Sequence, residues 1–259
     1  MTHVYGMAVA GVRVRTGCRV GRAVRTGTVW RVETETGLVT ARWVINCAGN
    51  QADRLEAEAG RSAKFSARPG RGEFLVLEAA GLVGRPVVPV PSKQTAGVYV
   101  FETVYGQTVV GPTNIPQVDR EEAVVSSESE AWLLDHLTSL YPAVAESGGL
   151  AGGWAGLRPG TQHQDYQLSV DWARCWVSVA GIRSTGLTCS LVLSRYLANT
   201  LLPGHTPAPL PVMPEPQRVP GRPEWLSIGG REYRVTHPIT RHGLLGLPLP
   251  HPPRPASRL

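Results

Sequence analysis

Two short turns rich in small residues are the parts of this sequence that best suit chemistry. The first covers residues 46–49 (Asn-Cys-Ala-Gly). The second covers residues 181–188, where Gly181 and Gly186 let a flat ligand approach the backbone closely. A helix pattern follows each turn, and the unpaired N–H groups at a helix start attract negative charge such as a phosphate. Each turn therefore predicts either a cofactor-binding loop or an ordinary strand-to-helix connection, and the residues alone leave both open.

The segments beside the turns predict the elements that must position them. An apolar run ends at Ile45 before the first turn, and residues 176–180 form a second apolar run, so each turn is expected to follow a β-strand. After the first turn, Ala52, Leu55 and Ala59 recur at helical spacing. After the second, we expect a helix from about Thr188. Its predicted apolar face consists of Leu191, Val192, Tyr196 and Leu197.

Antiparallel structure is expected before and between these two strand–turn–helix units. Residues 12–45 alternate in short runs broken by turns, which is typical of a small meander. Residues 64–116 contain short strands separated by Gly and Pro. One clear helix follows, with Ser127 and Glu130 resembling a capping box and Pro142 marking the end. The pattern indicates an α/β protein with an antiparallel part.

Composition limits the classes of function. The 259 residues carry a net charge of +6, and the Arg residues are scattered, which favours a small anionic substrate and no nucleic acid. No stretch approaches the roughly 20 apolar residues of a transmembrane helix. The first residues do not resemble a secretory signal, which favours a cytoplasmic protein with reduced cysteines. His237 and His242 lack further ligands nearby in sequence, so no metal is predicted.

Several stretches that match in order and spacing resemble the FAD-dependent oxidoreductases of the D-amino-acid oxidase superfamily. The sequence is most similar to the branch that contains anaerobic-type glycerol-3-phosphate dehydrogenase and L-2-hydroxyglutarate oxidase. The matching stretches are Val44–Gly49 with Ala52-Asp53, Arg68–Phe74, Val88–Lys93, Val110–Thr113, Gly156–Pro159 and Gly181–Thr188. Together they cover about residues 10–200.

The resemblance implies FAD as the cofactor and assigns roles to individual positions. Val20 corresponds to the strand that contacts the adenine, and Ala48 and Gly49 to the turn that passes the diphosphate. Gly156 corresponds to a loop beside the flavin. The loop that cradles the isoalloxazine corresponds to Gly181, Ile182, Gly186, Leu187 and Thr188.

For the substrate, the resemblance implies that Arg158 meets an anionic group. Arg71 and Lys93 correspond to the same face and could bind a carboxylate or phosphate. The alternatives are a structural salt bridge for Arg158 and solvated charges for Arg71 and Lys93. The implied reaction is hydride transfer to flavin from a small anionic alcohol, such as a 2-hydroxy acid or glycerol 3-phosphate. Proline-like or amino-acid substrates stay open, and the catalytic residues are unknown.

The resemblance also implies a division into domains. A partial FAD/NAD(P)-binding Rossmann-like domain covers residues 1–62 and resumes at 151–202. An antiparallel-sheet substrate domain covers residues 63–150, and a Pro-rich C-terminal extension covers residues 203–259.

Two departures from the family pattern affect these expectations. Position 185 is often Pro in this branch but is Thr185 here, and position 183 is often not Arg, so the rim of the site and the substrate are open. Complete members also begin with a strand, G-x-G-x-x-G and a helix, and nothing of that kind precedes Val12. We therefore expect either that a partner chain supplies this dinucleotide-binding segment, or that the chain is an inactive fragment acting as a binding or assembly module, or an incomplete gene product.

Overall fold

The computed structural model describes residues 7, 10–90, 97–146, 149–204, 206, 212 and 214–250. The strands are β1 (Val20–Thr26), β2 (Val29–Thr34), β3 (Gly37–Ala41), β4 (Val44–Asn46), β5 (Gly70–Ala80), β6 (Tyr99–Glu102), β7 (Gln107–Gly111), β8 (Ile115–Pro116), β9 (Leu150–Arg158), β10 (Gln167–Asp171), β11 (Trp176–Ala180), β12 (Gln217–Arg218), β13 (Trp225–Ile228) and β14 (Arg231–Arg234). The helices are α1 (Ala52–Glu58), α2 (Ser127–Leu140), α3 (Pro142–Glu146), α4 (Gly186–Leu201) and α5 (Pro238–Leu245), and a single 3₁₀ turn (Gly49–Gln51) precedes α1.

The described residues divide into two compact units, and the first contains both strand–turn–helix segments. It consists of the described parts of 1–69, 117–120 and 158–213. Strands β1, β2 and β3 form an antiparallel meander, as the sequence predicted. A strand over residues 12–15, by contrast, does not form, since these exposed residues have no face to bury. In the second sheet, β11 pairs in parallel with β4 and antiparallel with β10.

The apolar run that ends at Ile45 is two strands rather than one. Strand β3 ends at Ala41, the chain bends at residues 42–43, and β4 begins at Val44 in the other sheet. Trp43 packs edge-on against Trp172, with ring centroids 5.5 Å apart. The break is not visible in the sequence pattern because both strands are apolar and only two residues separate them.

Helix α4 forms where the sequence predicted a helix, but its apolar face is exposed. The structure describes all of its residues, and none is buried. Leu191, Val192 and Tyr196 are 54%, 74% and 58% exposed, and Leu187 is 76% exposed. The predicted apolar face is therefore exposed at Leu191, Val192 and Tyr196, whereas Leu197 is partly buried. Apolar spacing identifies a face that is suited to burial, but it does not show what covers that face.

The second unit consists of the described parts of 70–116, 121–157 and 214–259. Its main sheet has the order β6-β7-β5-β8, and β9 also pairs with β5. Leu133 and Leu137 of α2 belong to the same buried cluster as Leu75, Val100 and Val110 of the sheet. These antiparallel strands and the packed helix confirm the expected antiparallel part.

The boundaries of α2 agree with the sequence to within a residue. The N-cap is Ser126 rather than Ser127, because the Ser126 side chain accepts the Ser129 N–H at 3.2 Å. The helix ends at Leu140, before Pro142, which starts the short helix α3.

The described part of the C-terminal region packs within the second unit. Leu226, Val235 and Leu245 form a small core of their own. Leu249 joins a buried cluster with Val76 and Val109. The division of the sequence into four domain segments stays a prediction. Within the described part of the chain, no helix is both long and apolar enough to cross a membrane.

Candidate functional site

The first turn begins where β4 ends, and a buried asparagine shapes it. Asn46 is 1% exposed, and its Oδ1 accepts the Ala48 N–H at 3.2 Å. Its Nδ2 donates to the Ala52 carbonyl at 2.9 Å, which ties the turn to the start of α1. Gly49 has a φ of +56°, a left-handed conformation that glycine adopts without a Cβ penalty. Cys47 and Ala48 stay exposed above this framework.

The two predicted turns come together around Pro159. A Cβ built on Gly49 would lie 3.8 Å from the Pro159 Cβ. The Arg183 N–H of the second turn donates to the Pro159 carbonyl at 3.4 Å. Because β4 and β11 are parallel, with Asn46 beside Ser178, their carboxyl ends also lie at the same edge of the sheet. The structure therefore brings both turns to one place in the first unit.

The second turn leads directly into helix α4. Gly181 adopts a φ of +69°, and Thr185 occupies the N-cap without a side-chain cap to the helix. Its hydroxyl donates instead to the Ile182 carbonyl at 2.9 Å. The first N–H groups of α4 therefore keep their partial positive charge, and Leu187 and Thr188 beside them are exposed. Such a terminus can stabilise a negative group.

An unsatisfied polar atom lies beside the first turn. Asn50 Oδ1 is buried and has no hydrogen-bond partner among the described residues. A buried acceptor of this kind is costly unless a donor reaches it. The exposed turn, the glycine at +56° and this acceptor together fit a cofactor that carries hydroxyl groups and negative charge.

The other residues predicted to bind the cofactor lie on strands. Val20 is the first residue of β1 and is 44% exposed. Gly156 lies on β9 in the second unit, so the expected loop is a strand at this position. A Cβ on Gly156 would meet nothing within 4 Å. Ile182 is partly buried beside Gly181.

The predicted substrate residues have different surroundings. Arg158 is the last residue of β9, is partly buried and belongs to the first unit. Arg71 is not the solvated charge of the alternative interpretation. It is 20% exposed, and its Nε lies 3.2 Å from Oε1 of the fully buried Glu73 in the second unit. Lys93 lies outside the described residues.

A buried carboxylate beneath the first turn was missed by sequence reasoning. Glu56 is 2% exposed. Its Oε1 accepts from Ser178 Oγ at 2.6 Å, Trp176 Nε1 at 2.8 Å and Asn46 Nδ2 at 3.0 Å. Its Oε2 accepts from Arg61 Nε at 2.8 Å. Burial acts to raise the pKa of Glu56, but these hydrogen bonds outweigh it and hold the pKa below its usual value.

One signal could have identified Glu56. It is four residues after Ala52 and three before Ala59, and therefore shares the buried stripe of α1 with them. An acidic residue in such a stripe requires buried donors. Its partners on β11, however, are about 120 residues away in the chain and could not be identified from spacing.

A second ion pair supports the same turn. The Asp53 carboxylate accepts from Arg120 Nη1 at 2.6 Å and from the Ala67 N–H at 2.8 Å. Arg120 Nη1 also donates to the Asn50 carbonyl at 3.0 Å. Burial opposes ionisation, but these partners keep the pKa of Asp53 below its usual value. Among the described residues, no group of three or more His, Cys, Asp or Glu could hold a metal.

This geometry defines a class of protein. A parallel strand pair ends in two glycine-containing turns, each of which leads into a helix, and this is the arrangement that binds nucleotide-like cofactors at the carboxyl edge of a sheet. The sequence then identifies the family. Residues 4–200 match the DAO family, described as FAD dependent oxidoreductase. This match covers more than half of the chain, and the chain belongs to that family of FAD-dependent oxidoreductases.

Curated relatives include two glycerol-3-phosphate dehydrogenases. The glycerol 3-phosphate dehydrogenase of Caloramator mitchellensis is 28% identical over 176 residues, which are 66% of this chain and 36% of that protein. Glycerol-3-phosphate dehydrogenase 1 of Mycobacterium tuberculosis (strain ATCC 25618 / H37Rv) is 28% identical over 220 residues, covering 76% of this chain and 40% of that protein. The chain thus spans about 36–40% of the length of these relatives.

Solved structures show a similar fold. The dithionite-reduced L-alpha-glycerophosphate oxidase from Mycoplasma pneumoniae with FAD bound has a TM-score of 0.70 at 24% identity, covering 79% of this chain and 55% of that one. Glycine oxidase from Bacillus cereus ATCC 14579 has a TM-score of 0.64 at 21% identity, covering 74% and 52%. These similarities confirm the predicted α/β fold with antiparallel sheets.

Proposed function

We propose that this chain forms the flavin-side part of an FAD-dependent oxidoreductase that acts on a small anionic alcohol, such as glycerol 3-phosphate or a 2-hydroxy acid. Membership of the family supports the cofactor and the reaction class. The identity to two glycerol-3-phosphate dehydrogenases supports the substrate class. The observation that carries the proposal is the meeting of the two glycine turns around Pro159.

The residues of both turns fit FAD. The backbone at Ala48 and Gly49 would run alongside the diphosphate. Gly181 and Gly186 would leave room for the flat ring. The uncapped start of α4 would place positive potential beside it. When bound, FAD supplies the hydride acceptor. The chain's own contribution is to orient the ring and to favour the negative charge that the ring gains on reduction.

Arg158 is our candidate for holding the anionic group of the substrate, because a guanidinium binds a carboxylate or phosphate through two parallel hydrogen bonds. Arg71 is a weaker candidate since Glu73 already pairs with it. Lys93 stays a prediction from the resemblance. We assign no catalytic base, and we expect the protein to work in the cytoplasm on a small molecule rather than on nucleic acid.

The test is flavin uptake by the purified chain. We expect the visible absorption of FAD to stay with the protein through gel filtration, and Gly49→Ala to weaken that retention. Gly27→Ala is the matched control. Gly27 has a similar φ of +59° in the β1–β2 turn, so an alanine there should cause a similar backbone strain. A colourless wild-type protein after incubation with FAD would contradict the proposal for this chain by itself.

We also propose that the exposed face of α4 binds further polypeptide. Leu187, Leu191, Val192 and Tyr196 are exposed on a helix that carries an apolar face. Among the described residues β4 pairs with β11 alone, and Ile45 on β4 is 48% exposed, although parallel strands are normally covered on both sides. A strand followed by a helix, the form of the dinucleotide-binding segment, would cover both features. The relatives contain further polypeptide beyond the part that this chain matches.

Co-expression tests this partner. The tagged chain is produced together with the part of the Caloramator mitchellensis relative that lies outside its matched 176 residues. We expect the two to copurify, and the double variant Leu191→Ser/Val192→Ser to abolish copurification. Copurification that survives this double change would show that α4 is not the binding face.

The alternative function is a catalytically inactive binding or assembly module, and the same exposed face of α4 favours it. The two functions differ in flavin uptake. A chain that binds the partner segment but retains no FAD, alone or in that complex, is a module rather than part of an oxidoreductase.

A further inference from the structure

We propose that Glu56 is a positioning residue for the cofactor site, which acts through Asn46 to hold the backbone of the first turn. The inference rests on the proposed function only in naming FAD as what the turn receives. The hydrogen-bond chain itself belongs to the first unit and can be tested without any ligand.

The chain of contacts runs from the carboxylate to the exposed backbone in two steps. Glu56 Oε1 accepts from Asn46 Nδ2 at 3.0 Å, and this contact fixes the orientation of the amide. With Nδ2 directed at Glu56, Asn46 Oδ1 accepts the Ala48 N–H at 3.2 Å. Since Ala48 is exposed and precedes the glycine at +56°, the orientation of the Asn46 amide decides the path of the turn.

Glu56 is itself fixed by the strand that leads to the second turn. Ser178 Oγ and Trp176 Nε1 of β11 both donate to its Oε1. Arg61 donates to Oε2 and is held in place by Asp171, with 2.7 Å between Arg61 Nη1 and Asp171 Oδ2. One carboxylate therefore links the end of β4 to β11, the two strands that lead to the turns proposed to hold FAD.

Only an acceptor with four bonding positions satisfies this set of donors. An ionised carboxylate accepts on both oxygens, whereas a glutamine side chain of the same shape presents an NH₂ group at one end. In Glu56→Gln that group must face either Arg61 or the donors around Oε1, and in both orientations two donors oppose each other. With the NH₂ group toward the donors around Oε1, the Asn46 amide loses the contact that orients it. With the NH₂ group toward Arg61, that contact stays and the bond from Arg61 is lost.

The experiment compares four variants by three measurements. Glu56→Gln removes the charge. Asn46→Ala keeps the charge and removes the link to the turn, together with the hydrogen bond to the Ala52 carbonyl. Ser178→Ala removes a hydrogen bond to Glu56 that does not involve the turn, and Glu58→Gln changes an exposed acid on the same helix. The measurements are amide hydrogen exchange at Ala48 without ligand, the dissociation constant for FAD, and the thermal unfolding temperature.

We expect Asn46→Ala to speed Ala48 exchange and to weaken FAD binding by about tenfold, which corresponds to about 1.4 kcal/mol. Glu56→Gln should change both in the same direction and by a smaller amount, because the bond to Asn46 is lost only when the NH₂ group faces it. Ser178→Ala should lower the unfolding temperature without changing either readout at the turn, and Glu58→Gln should change none of the three. Should Glu56→Gln not fold, Asn46→Ala decides the question, because it leaves Glu56 with three donors. Ala48 exchange that is equal in Asn46→Ala and Ser178→Ala would overturn the inference.

The exchange measurement separates this inference from the proposed function. Fast Ala48 exchange in Glu56→Gln and Asn46→Ala, in a protein that never binds FAD, would support the positioning of the turn. It would contradict the proposed binding of flavin. Tight FAD binding by the wild type that both variants retain would contradict the positioning role and leave the flavin function intact.

Discussion

Three carboxylates in the first unit accept hydrogen bonds from several donors each. Glu56, Asp53 and Asp171 each accept from an arginine and from at least one further donor. Glu56 is nearly inaccessible, and a buried charge is tolerated only when its hydrogen-bonding positions are filled. Removing one hydrogen-bond partner from such a group therefore lowers the free energy of unfolding by more than the contribution of that hydrogen bond alone.

These carboxylates predict a loss of stability in acid. The pKa values of Asp53, Glu56 and Asp171 all lie below their ordinary values of 3.8, 4.5 and 3.8. The stabilisation is complete above those ordinary values, and it is lost as the pH falls through the lower pKa values of the folded protein. Urea unfolding, followed from neutral pH to below pH 3.8, should show a falling free energy of unfolding that begins near pH 4.5.

The Glu56→Gln variant provides the control for this measurement. Because it cannot ionise at this position, its free energy of unfolding should fall less steeply in the same pH range. Identical pH profiles for the wild type and the variant would show that folding does not lower the pKa of Glu56.

At the scale of helices, α2 and α4 contain leucines with opposite surroundings. Leu133 of α2 is fully buried, whereas Leu191 of α4 is 54% exposed. Leu133→Ala should therefore lower the free energy of unfolding by about 2–5 kcal/mol. Leu191→Ala should change it by no more than about 0.5 kcal/mol. Chemical denaturation of both variants checks this pair. A large loss in Leu191→Ala would mean that α4 is covered in solution, for instance by a second copy of the chain.

The sequence predicted elements well where the signal is local. Both strand–turn–helix units follow from a short apolar run, a glycine turn and helical spacing within about 20 residues, and all of them form. Two features could not be predicted in this way. The bend at residues 42–43 moves the chain between sheets without a glycine or proline, and the apolar spacing of α4 does not show that its face is uncovered.

The candidate site shows the same limit. Gly49 and Gly181 could be identified because a positive φ favours glycine. Glu56 could not be assigned, because its role depends on Trp176 and Ser178, which reach it only through the fold. The pairing of Arg71 with Glu73 is a contact between residues two apart on a strand, but whether the pair is buried depends on what packs around β5.

At the scale of the whole molecule, FAD should stabilise the chain if the proposed function holds. A ligand that binds only the folded state at a hundred times its dissociation constant adds about 2.7 kcal/mol. Thermal unfolding with and without FAD should therefore show a higher midpoint with the cofactor. Riboflavin is the informative comparison, because it lacks the diphosphate and adenosine.

The two ligands separate the parts of the site. Equal shifts with FAD and riboflavin would place the binding energy in the flavin-side loop at residues 181–188. A shift with FAD alone would place it near the turn at residues 46–49. If neither ligand raises the midpoint, these 259 residues do not bind flavin without additional polypeptide.

Strand β4 contains only three residues, and this brevity has a consequence for selectivity. A long unpaired edge strand can bind almost any extended peptide through backbone hydrogen bonds. A very short one offers too few N–H and C=O groups to bind a peptide non-specifically. Stable binding of a polypeptide at this edge must then also depend on side-chain packing against the neighbouring apolar surface. The short edge would thus disfavour non-specific aggregation while still allowing a specific partner to bind.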